Sequence, residues 1–226
     1  MSERARQAAA EAAAALVEDG MLVGLGTGRT MDLVLQVLSE RIATEGLRVT
    51  GVATSEATAS RAWALSIPLA DADAPCDLAL DGADQVERST LRLIKGGGGA
   101  LLREKIVAES ARRFVVVAEA SKLVDRLGQD FALPVEVVPF GYGATARRLA
   151  ALGGAPEVRR RGGAPIRTDN GNLVLDCPGF AVIRDPFTLE RCLRAVAGVV
   201  ASGLFLLPVE CVLVGDDDGS VAELRP

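Results

Sequence analysis

Short apolar runs alternate with longer segments in which apolar residues recur every three or four positions. The runs at 21–25, 48–54, 77–81 and 114–118 predict strands, and the periodic segments at 4–17, 31–45 and 99–111 predict helices. The strand runs are almost wholly apolar, which is typical of parallel strands with both faces covered. This part of the chain therefore predicts an α/β fold with a doubly wound, mostly parallel, Rossmann-like sheet.

The order of elements changes after Leu133-Pro134. Strands are expected at 135–140, 157–160, 173–176 and 199–204, and helices at 144–152 and 186–197, which gives the order β-α-β-β-α-β of a ferredoxin-like unit. The run Asp169-Asn-Gly-Asn172 predicts a turn, and Asp185-Pro186 predicts a helix start. The apolar runs 211–214 and 221–224 would return to the larger sheet. We expect a Rossmann-like catalytic domain over residues 1–132 and 205–226, and a smaller ferredoxin-like α+β domain over residues 133–204.

The composition argues against a membrane or nucleic-acid partner. No run approaches the roughly 20 apolar residues of a membrane-spanning helix, and Met1-Ser2-Glu3-Arg4 does not resemble a signal peptide, so we expect a cytoplasmic protein. The net charge is −5, and the one basic cluster, Arg159-Arg160-Arg161, is too short to bind nucleic acid and is interpreted as a solvated loop.

Histidine is absent from all 226 residues, which restricts the available chemistry. Acid–base work near neutral pH must fall to a carboxylate, Lys, Tyr or Cys, and no histidine-based metal site can form. The four cysteines form no C-x-x-C pair and are expected to be small core residues: Cys76, Cys177, Cys192 and Cys211. Only three of the 25 basic residues are lysines, which draws attention to Lys95, Lys105 and Lys122.

Two loops follow predicted strands and carry polar groups. Gly26-Thr-Gly-Arg-Thr30 lies between a strand and a helix, where free N–H groups and the helix dipole favour a phosphate, although tight turns of this kind also use glycine for conformational reasons. Asp81-Gly-Ala-Asp84 ends a central strand, where open α/β sheets bind their ligands. A helix cap or surface turn would explain one of these aspartates, so two of them favour a functional site.

The segment Lys95-Gly-Gly-Gly-Gly99 is the least ordinary in the chain. Four consecutive glycines have a high entropic cost and suit a backbone that wraps closely around a ligand, with the lysine at its mouth. A flexible linker is the alternative, but the run joins a predicted strand to a predicted helix. On that helix, Leu101, Leu102, Ile106 and Val107 are expected to form the apolar stripe, and Glu104 is expected on a different face as a candidate proton-transferring base.

These motifs together resemble the type A ribose-5-phosphate isomerase family, in order from about residue 3 to residue 226. The resemblance is carried by Gly26-Thr-Gly-Arg-Thr30, Thr54-Ser55, Asp81-Gly-Ala-Asp84, Lys95-Gly-Gly-Gly-Gly-Ala-Leu-Leu-Arg-Glu-Lys-Ile106, Ala120-Ser-Lys122, Leu133-Pro-Val-Glu-Val137 and Thr168-Asp-Asn-Gly-Asn172. It implies interconversion of ribose 5-phosphate and ribulose 5-phosphate through a cis-enediolate in the pentose phosphate pathway. It also implies that the enzyme needs no metal or organic cofactor and forms a homodimer or tetramer.

The resemblance also implies roles for individual residues. Glu104 would be the proton acceptor, and Asp81, Asp84 and Lys95 would assist ring opening, proton movement between oxygens and charge stabilisation, without a fixed division between the two acids. Substrate contacts would come from Thr27, Gly28, Arg29, Thr30, Gly82, Ala83, Gly96, Gly97, Gly98 and Lys122.

Three positions depart from the family pattern. Arg29 replaces a serine in the first loop, Gln85 replaces a third acid, and Arg6 stands where a lysine often helps to bind phosphate. Arg29 is expected either to contact the phosphate or to swing outward.

Three other readings compete with the isomerase. A sugar-phosphate sensor would need a DNA-binding module, which is not expected here. Another enzyme of the same superfamily, such as a lactonase or an amino-sugar phosphate deaminase, is the second, although such deaminases generally rely on a catalytic histidine. A purely structural module is the third, and it would have no use for Lys95 beside four glycines.

Overall fold

The computed structural model describes residues 3–226, so the prediction that rested on Met1 and Ser2 lies outside the described residues. Within this range the chain forms six α-helices, α1 (Glu3–Ala15), α2 (Arg29–Glu45), α3 (Glu56–Ala64), α4 (Leu101–Ser110), α5 (Tyr142–Ala151) and α6 (Pro186–Arg194). Its strands are β1 (Leu22–Leu25), β2 (Thr50–Ala53), β3 (Leu78–Gly82), β4 (Gln85–Glu87), β5 (Leu93–Ile94), β6 (Phe114–Glu119), β7 (Leu123–Val124), β8 (Leu133–Val137), β9 (Glu157–Val158), β10 (Arg160–Arg161), β11 (Ala164–Pro165), β12 (Leu173–Cys177), β13 (Val199–Ser202), β14 (Leu204–Phe205), β15 (Cys211–Gly215) and β16 (Val221–Leu224). None of the helices in residues 3–226 is long and apolar enough to cross a membrane.

The large sheet has six strands in the order β16-β15-β6-β3-β1-β2. All neighbouring pairs are parallel except β15 with β16. The predicted mostly parallel sheet is therefore confirmed, including the return of the C-terminal runs to it.

Both faces of this sheet are buried, which explains the continuous apolar runs. On β6, Val115 and Val117 pack into one core with α1 and α2, while Phe114 and Val116 pack into a second core with α4. Since successive side chains of a strand point to opposite faces, a strand covered on both sides must be apolar throughout.

The strand order places the functional loops at one edge of the sheet. The chain runs from β1 to β2 on one side and then crosses to β3 on the other, which creates a topological switch point between β1 and β3. The loops after β1, β3 and β6 leave from the same, carboxyl-terminal edge. A backbone bond of 2.9 Å from Gly26 N–H to Leu80 O joins the loop after β1 to strand β3.

Residues 133–202 form a separate antiparallel sheet in the order β13-β8-β12-β9, covered by α5 and α6. This is the strand order of a ferredoxin-like unit, as predicted. The predicted turn at 169–172 is present, and Asp185 caps α6 by accepting from Thr188 N–H at 3.0 Å. The predicted strand 157–160 is wrong in detail, because β9 ends at Val158 and a short hairpin of β10 and β11 follows.

A third sheet, in the order β14-β5-β4-β7, was not predicted. Its strands contain two or three residues each, too few to show a period in the sequence. This sheet carries Lys95, which follows β5, and the Lys95 N–H donates to Gly203 O at 2.9 Å.

Candidate active site

A polar cavity of about 400 Å³ opens at the switch point of the large sheet. Every site residue expected from the sequence lines it except Asp81, which lies beneath its floor: the lining includes Thr27, Gly28, Arg29, Thr30, Gly82, Ala83, Asp84, Lys95, Gly96, Gly97, Gly98, Glu104 and Lys122. Residues far apart in sequence are thus brought together as the motifs predicted.

Three ionisable side chains form a buried charge cluster at the base of this cavity: Asp81, Lys95 and Glu104. Each residue is less than 5% exposed. Lys95 Nζ lies 3.1 Å from Asp81 Oδ2 and 3.3 Å from Glu104 Oε2, and it donates a hydrogen bond to Gly82 O at 2.6 Å. The ammonium group is therefore directed at both carboxylates and at the end of β3.

Burial and charge shift the proton affinities within the cluster. Loss of hydration and then the negative charge of Asp81 raise the pKa of Glu104 from 4.5 to about 8, against the opposing effect of Lys95. Burial likewise raises the pKa of Asp81. Burial alone would lower the pKa of Lys95, but the adjacent Asp81 and Glu104 outweigh it and raise that pKa. A glutamate with a pKa near neutrality can both accept and release a proton.

One oxygen of the Glu104 carboxylate is left without a hydrogen bond in the described residues. Its Oε2 atom is buried and has no hydrogen-bond partner within residues 3–226, because the ammonium of Lys95 approaches it without hydrogen-bond geometry. A buried acceptor without a partner is costly unless a ligand or a proton satisfies it.

The prediction for the faces of α4 was right for Leu101 and Val107, which are buried, and wrong for Ile106, which is 49% exposed. Glu104 was expected on a different face but lies on the same buried face as Leu101 and Val107. The sequence did not show this because a buried, charge-paired glutamate leaves no local signal, and its partner Lys95 lies on another element, after β5.

The glycine run, residues 96–99, lies directly against Asp84 at the wall of the cavity. Gly97 N–H donates to Asp84 Oδ2 at 2.7 Å, and a Cβ atom at position 97 would lie 2.7 Å from Asp84 Oδ1. Gly96 and Gly99 have φ values of +108° and +85°. The need for glycine therefore comes from positive φ angles and from close approach to a carboxylate.

The loop after β1 is fixed by a network of hydroxyl groups. Thr27 Oγ1 lies 2.8 Å from Thr54 Oγ1 and 2.9 Å from Ser55 Oγ, and Thr58 Oγ1 donates to Gly26 O at 3.0 Å. Ser55 also caps α3. The side chain of Thr27 is thus held inward, while the residues that follow it begin α2 at the cavity rim.

Arg29 lines the rim of the cavity, whereas Arg6, which stands where a lysine often helps to bind phosphate, does not. Arg29 is exposed, lines the cavity and forms no ion pair within the described part of the chain. Arg6 is absent from the lining and instead donates from Nε to Glu119 Oε1 at 3.0 Å. Glu119, at the end of β6, lines the cavity and was missed by the sequence analysis, although its position at a strand end was the available signal.

The interpretation of Arg159 as part of a solvated loop was wrong. Its side chain is only 15% exposed and is paired with Asp176. It also donates from Nη1 to Gly96 O at 2.7 Å and to Gly97 O at 3.0 Å. By contrast, Arg160 and Arg161 are exposed, as expected.

A larger surface groove of about 900 Å³ lies on the other side of α4, beside the exposed Trp63. The charged residues lining it are Glu56, Asp71 and Arg103, and the first two are exposed. Buried charges are typical of functional sites, so the smaller cavity, with its buried charge cluster, is the candidate active site.

Comparison with known proteins places this architecture in one family. Residues 50–219 match the profile of ribose 5-phosphate isomerase A, also called phosphoriboisomerase A. The ribose-5-phosphate isomerase A of Thermomicrobium roseum is 52% identical over 221 residues, covering 96% of this chain and 92% of that protein. The enzyme of the same name from Roseiflexus sp. (strain RS-1) is 56% identical, covering 96% and 94%.

Solved structures agree. Ribose 5-phosphate isomerase A of Methanocaldococcus jannaschii is 42% identical and superposes with a TM-score of 0.95, covering 100% of both chains. A D-ribose-5-phosphate isomerase solved in complex with phospho-erythronic acid is 36% identical, with a TM-score of 0.94 and the same coverage. The fold, the motifs and these relatives lead to one conclusion: the chain belongs to the ribose 5-phosphate isomerase A family.

Proposed function

We propose that this protein interconverts ribose 5-phosphate and ribulose 5-phosphate by using Glu104 to move a proton between C2 and C1 of the open-chain sugar. The observation that carries this assignment is the Glu104 carboxylate, which is buried beside Lys95 at the cavity base and has one oxygen, Oε2, without a hydrogen-bond partner within residues 3–226. The reaction is that of the aldose–ketose isomerase family to which the chain belongs, in the pentose phosphate pathway.

The proton transfer leaves the composition of the sugar unchanged. Glu104 takes the proton from C2, the electrons of the C2–H bond form a C1–C2 double bond, and the carbonyl oxygen on C1 becomes negative. The result is a cis-enediolate. Return of the proton to C1, with transfer of a proton from the oxygen on C2 to the oxygen on C1, gives the ketose. A base with a pKa near neutrality suits both directions.

The other charged groups take supporting roles in this proposal. Lys95 stabilises the negative oxygen, since its ammonium group lines the cavity and already lies among carboxylates. Asp84 reaches the cavity and moves protons between substrate oxygens, including those of ring opening, whereas Asp81 lies beneath and holds Lys95. The N–H group of Gly98, which lines the cavity, is a further donor to the developing charge.

The phosphate is proposed to lie at the opposite end of the cavity. Residues 28–30 lie at the N-terminus of α2, where unpaired N–H groups and the helix dipole favour an anion. Arg29 and Lys122 also line the cavity and add positive charge. The remaining contacts from the backbone of Gly82, Ala83 and residues 96–98 would surround the sugar.

The variant Glu104→Gln tests the assignment of the base. Gln keeps the shape but cannot accept the proton, so turnover should fall by roughly 10²- to 10⁴-fold, measured as formation of ribulose 5-phosphate. As the resemblance implies that no metal or organic cofactor is needed, the assay uses chelator-treated protein.

Stability and binding separate this effect from misfolding. A carboxyl whose folded pKa is raised stabilises the fold below its unfolded pKa, and this contribution is lost as the pH rises through about 8. The Gln variant should therefore melt no lower than the parent above pH 8, and it should still bind phospho-erythronic acid. The exposed Glu109 on the same helix provides the control, Glu109→Gln, with parental turnover. Full turnover by Glu104→Gln would refute the assignment.

Domain limits, assembly and location complete the proposal. We place the catalytic domain at residues 1–132 and 205–226 and the smaller domain at 133–204, supported by the separate sheets and cores of these segments. A homodimer or tetramer is the assembly that the family resemblance implies, and the exposed side chains of Phe140 and Trp63, 94% and 74% accessible, are available for contacts between subunits. A cytoplasmic location is supported by four free cysteines in the described residues, which suit a reducing compartment.

A further inference from the structure

Arg159 is the one side chain of segment 133–202 that hydrogen-bonds to the glycine run within the described residues. It follows β9 on the small sheet, and its guanidinium crosses to the cavity wall. Its Nη1 donates to Gly96 O at 2.7 Å and to Gly97 O at 3.0 Å, while Nε donates to Asp176 Oδ2 at 2.8 Å. A second bond from Nη2 reaches Asp176 Oδ1, so the carboxylate holds the guanidinium from two sides.

These bonds fix the direction of two peptide units. In a planar trans peptide, the C=O and N–H groups point in opposite directions. With the carbonyls of Gly96 and Gly97 turned toward Arg159, the N–H groups of Gly97 and Gly98 must point away from it. The N–H of Gly97 accordingly donates to Asp84 Oδ2 at 2.7 Å.

The N–H group of Gly98 remains available. It has no hydrogen-bond partner within residues 3–226, and Gly98 lines the cavity. Within residues 96–99 there is one hydrogen bond, from Gly99 N–H to Gly96 O at 3.0 Å, and it leaves the Gly97 carbonyl without a restraint from the run itself. The hydrogen bond from Arg159 Nη1 to Gly97 O supplies the restraint that this peptide unit lacks.

We propose that Arg159 is a positioning residue that directs the Gly98 N–H at the substrate oxygen that becomes negative in the enediolate. This proposal rests on the function proposed above. Arg159 touches no substrate in this proposal; it acts through the two carbonyls, and Asp176 acts through Arg159. The smaller domain thereby contributes to the reaction in the larger one.

The central test is Arg159→Lys. Lysine keeps the positive charge beside Asp176, but its compact ammonium cannot bind the carboxylate at two points and reach both carbonyls. A misdirected donor in the transition state should lower kcat by roughly 10- to 100-fold. The KM for ribose 5-phosphate should stay within about threefold, because the Arg159 side chain bonds to Asp176 and to the glycine run and to none of the residues proposed to bind the phosphate.

The matched control is Arg160→Lys. Arg160 is the next residue, is exposed and donates only to Gly163 O within its own hairpin in the described part of the chain. It should keep parental kcat and KM. A kcat for Arg159→Lys within about threefold of the parent, or an equal fall in the control, would overturn the proposal.

Amide hydrogen exchange tests whether Arg159 anchors the glycine run, independently of whether the run takes part in catalysis. Arg159→Lys should increase the exchange rate of the Gly97 amide, which is hydrogen-bonded to Asp84, while leaving those of β6 unchanged. Faster exchange with an unchanged kcat would show that Arg159 anchors the run but would refute the catalytic use of the Gly98 N–H group. Unchanged exchange would refute the anchoring itself, whatever the activity of Glu104→Gln.

A double variant guards against a loss of folding. Arg159→Met with Asp176→Asn removes the charge pair without leaving one buried charge alone. It should melt close to the parent and show the same selective loss of kcat. A folded double variant with parental kcat would refute the proposal even if Arg159→Lys could not be purified.

Discussion

The raised pKa of Glu104 can be tested through its neighbour Asp81. Both carboxylates lie against Lys95 Nζ, at 3.1 Å from Asp81 Oδ2 and 3.3 Å from Glu104 Oε2, so the two oxygens are at most about 6.4 Å apart. At an effective dielectric constant of about 20, two negative charges at this separation repel by about 2.6 kcal/mol, which corresponds to about two pKa units. Removing the charge of Asp81 should therefore make Glu104 easier to ionise.

The assay is the pH dependence of kcat/KM, which reports ionisations of the free enzyme. Glu104 acts as a base, so activity should rise with pH as it ionises, with a midpoint near its pKa of about 8 in the parent. In Asp81→Asn the midpoint should move to lower pH by one to two units, on the Coulomb magnitude above. The plateau itself should be lower because Lys95 loses a partner.

The exposed Asp73 offers a control for net charge, since Asp73→Asn should leave the midpoint unchanged. A midpoint in Asp81→Asn that stays in place or moves upward would refute the reasoning. It would mean that Asp81 carries no charge in this pH range and that burial alone perturbs Glu104.

Two further substitutions probe the rim and the floor of the cavity. Arg29→Ser should raise the KM for ribose 5-phosphate about fivefold, equivalent to about 1 kcal/mol for an exposed charge-assisted contact, and should leave kcat nearly unchanged; an unchanged KM would exclude a contact with the phosphate. Gly26→Ala would place a Cβ atom 2.1 Å from Asp81 Oδ1, so the free energy of unfolding should fall by about 1–3 kcal/mol and turnover should drop. Gly143→Ala in α5, where the new Cβ atom meets only Arg147 at 3.9 Å, should be neutral or stabilising in the same denaturation experiment.

The sequence predicted the large sheet and the content of the cavity because both leave local patterns. Strands such as β6 are apolar throughout, and the helices between them keep a regular period. Lys95, the glycine run and the acids at the end of β3 were recognisable because each violates what a purely structural segment would contain. Such violations are expected at functional sites.

The contacts of Arg159 could not be predicted because its partners are distant in sequence, and the burial of Glu104 could not be predicted because no local pattern shows how its side chain meets Lys95. Arg159 binds the carbonyl of Gly96. From the sequence it looks like a solvated loop residue, because nothing near it shows that the glycine run of the larger domain packs against it. Glu104 looks like an exposed helical residue until Lys95 is folded onto it. Arg6 likewise could not be matched to Glu119 from spacing alone.

The position of β15 has a consequence for how the protein is made. This strand pairs with β6 in the large sheet, with Cys211 opposite Val115, yet residues 133–202 are synthesised between the two strands. The ribosome must therefore synthesise the entire smaller domain before β15 can pair with the open edge of β6. During that interval an apolar strand presents unpaired N–H and C=O groups to other chains. A chain terminated before residue 211 would keep that edge open permanently, which makes premature termination in the last part of the chain an aggregation hazard as well as a loss of enzyme.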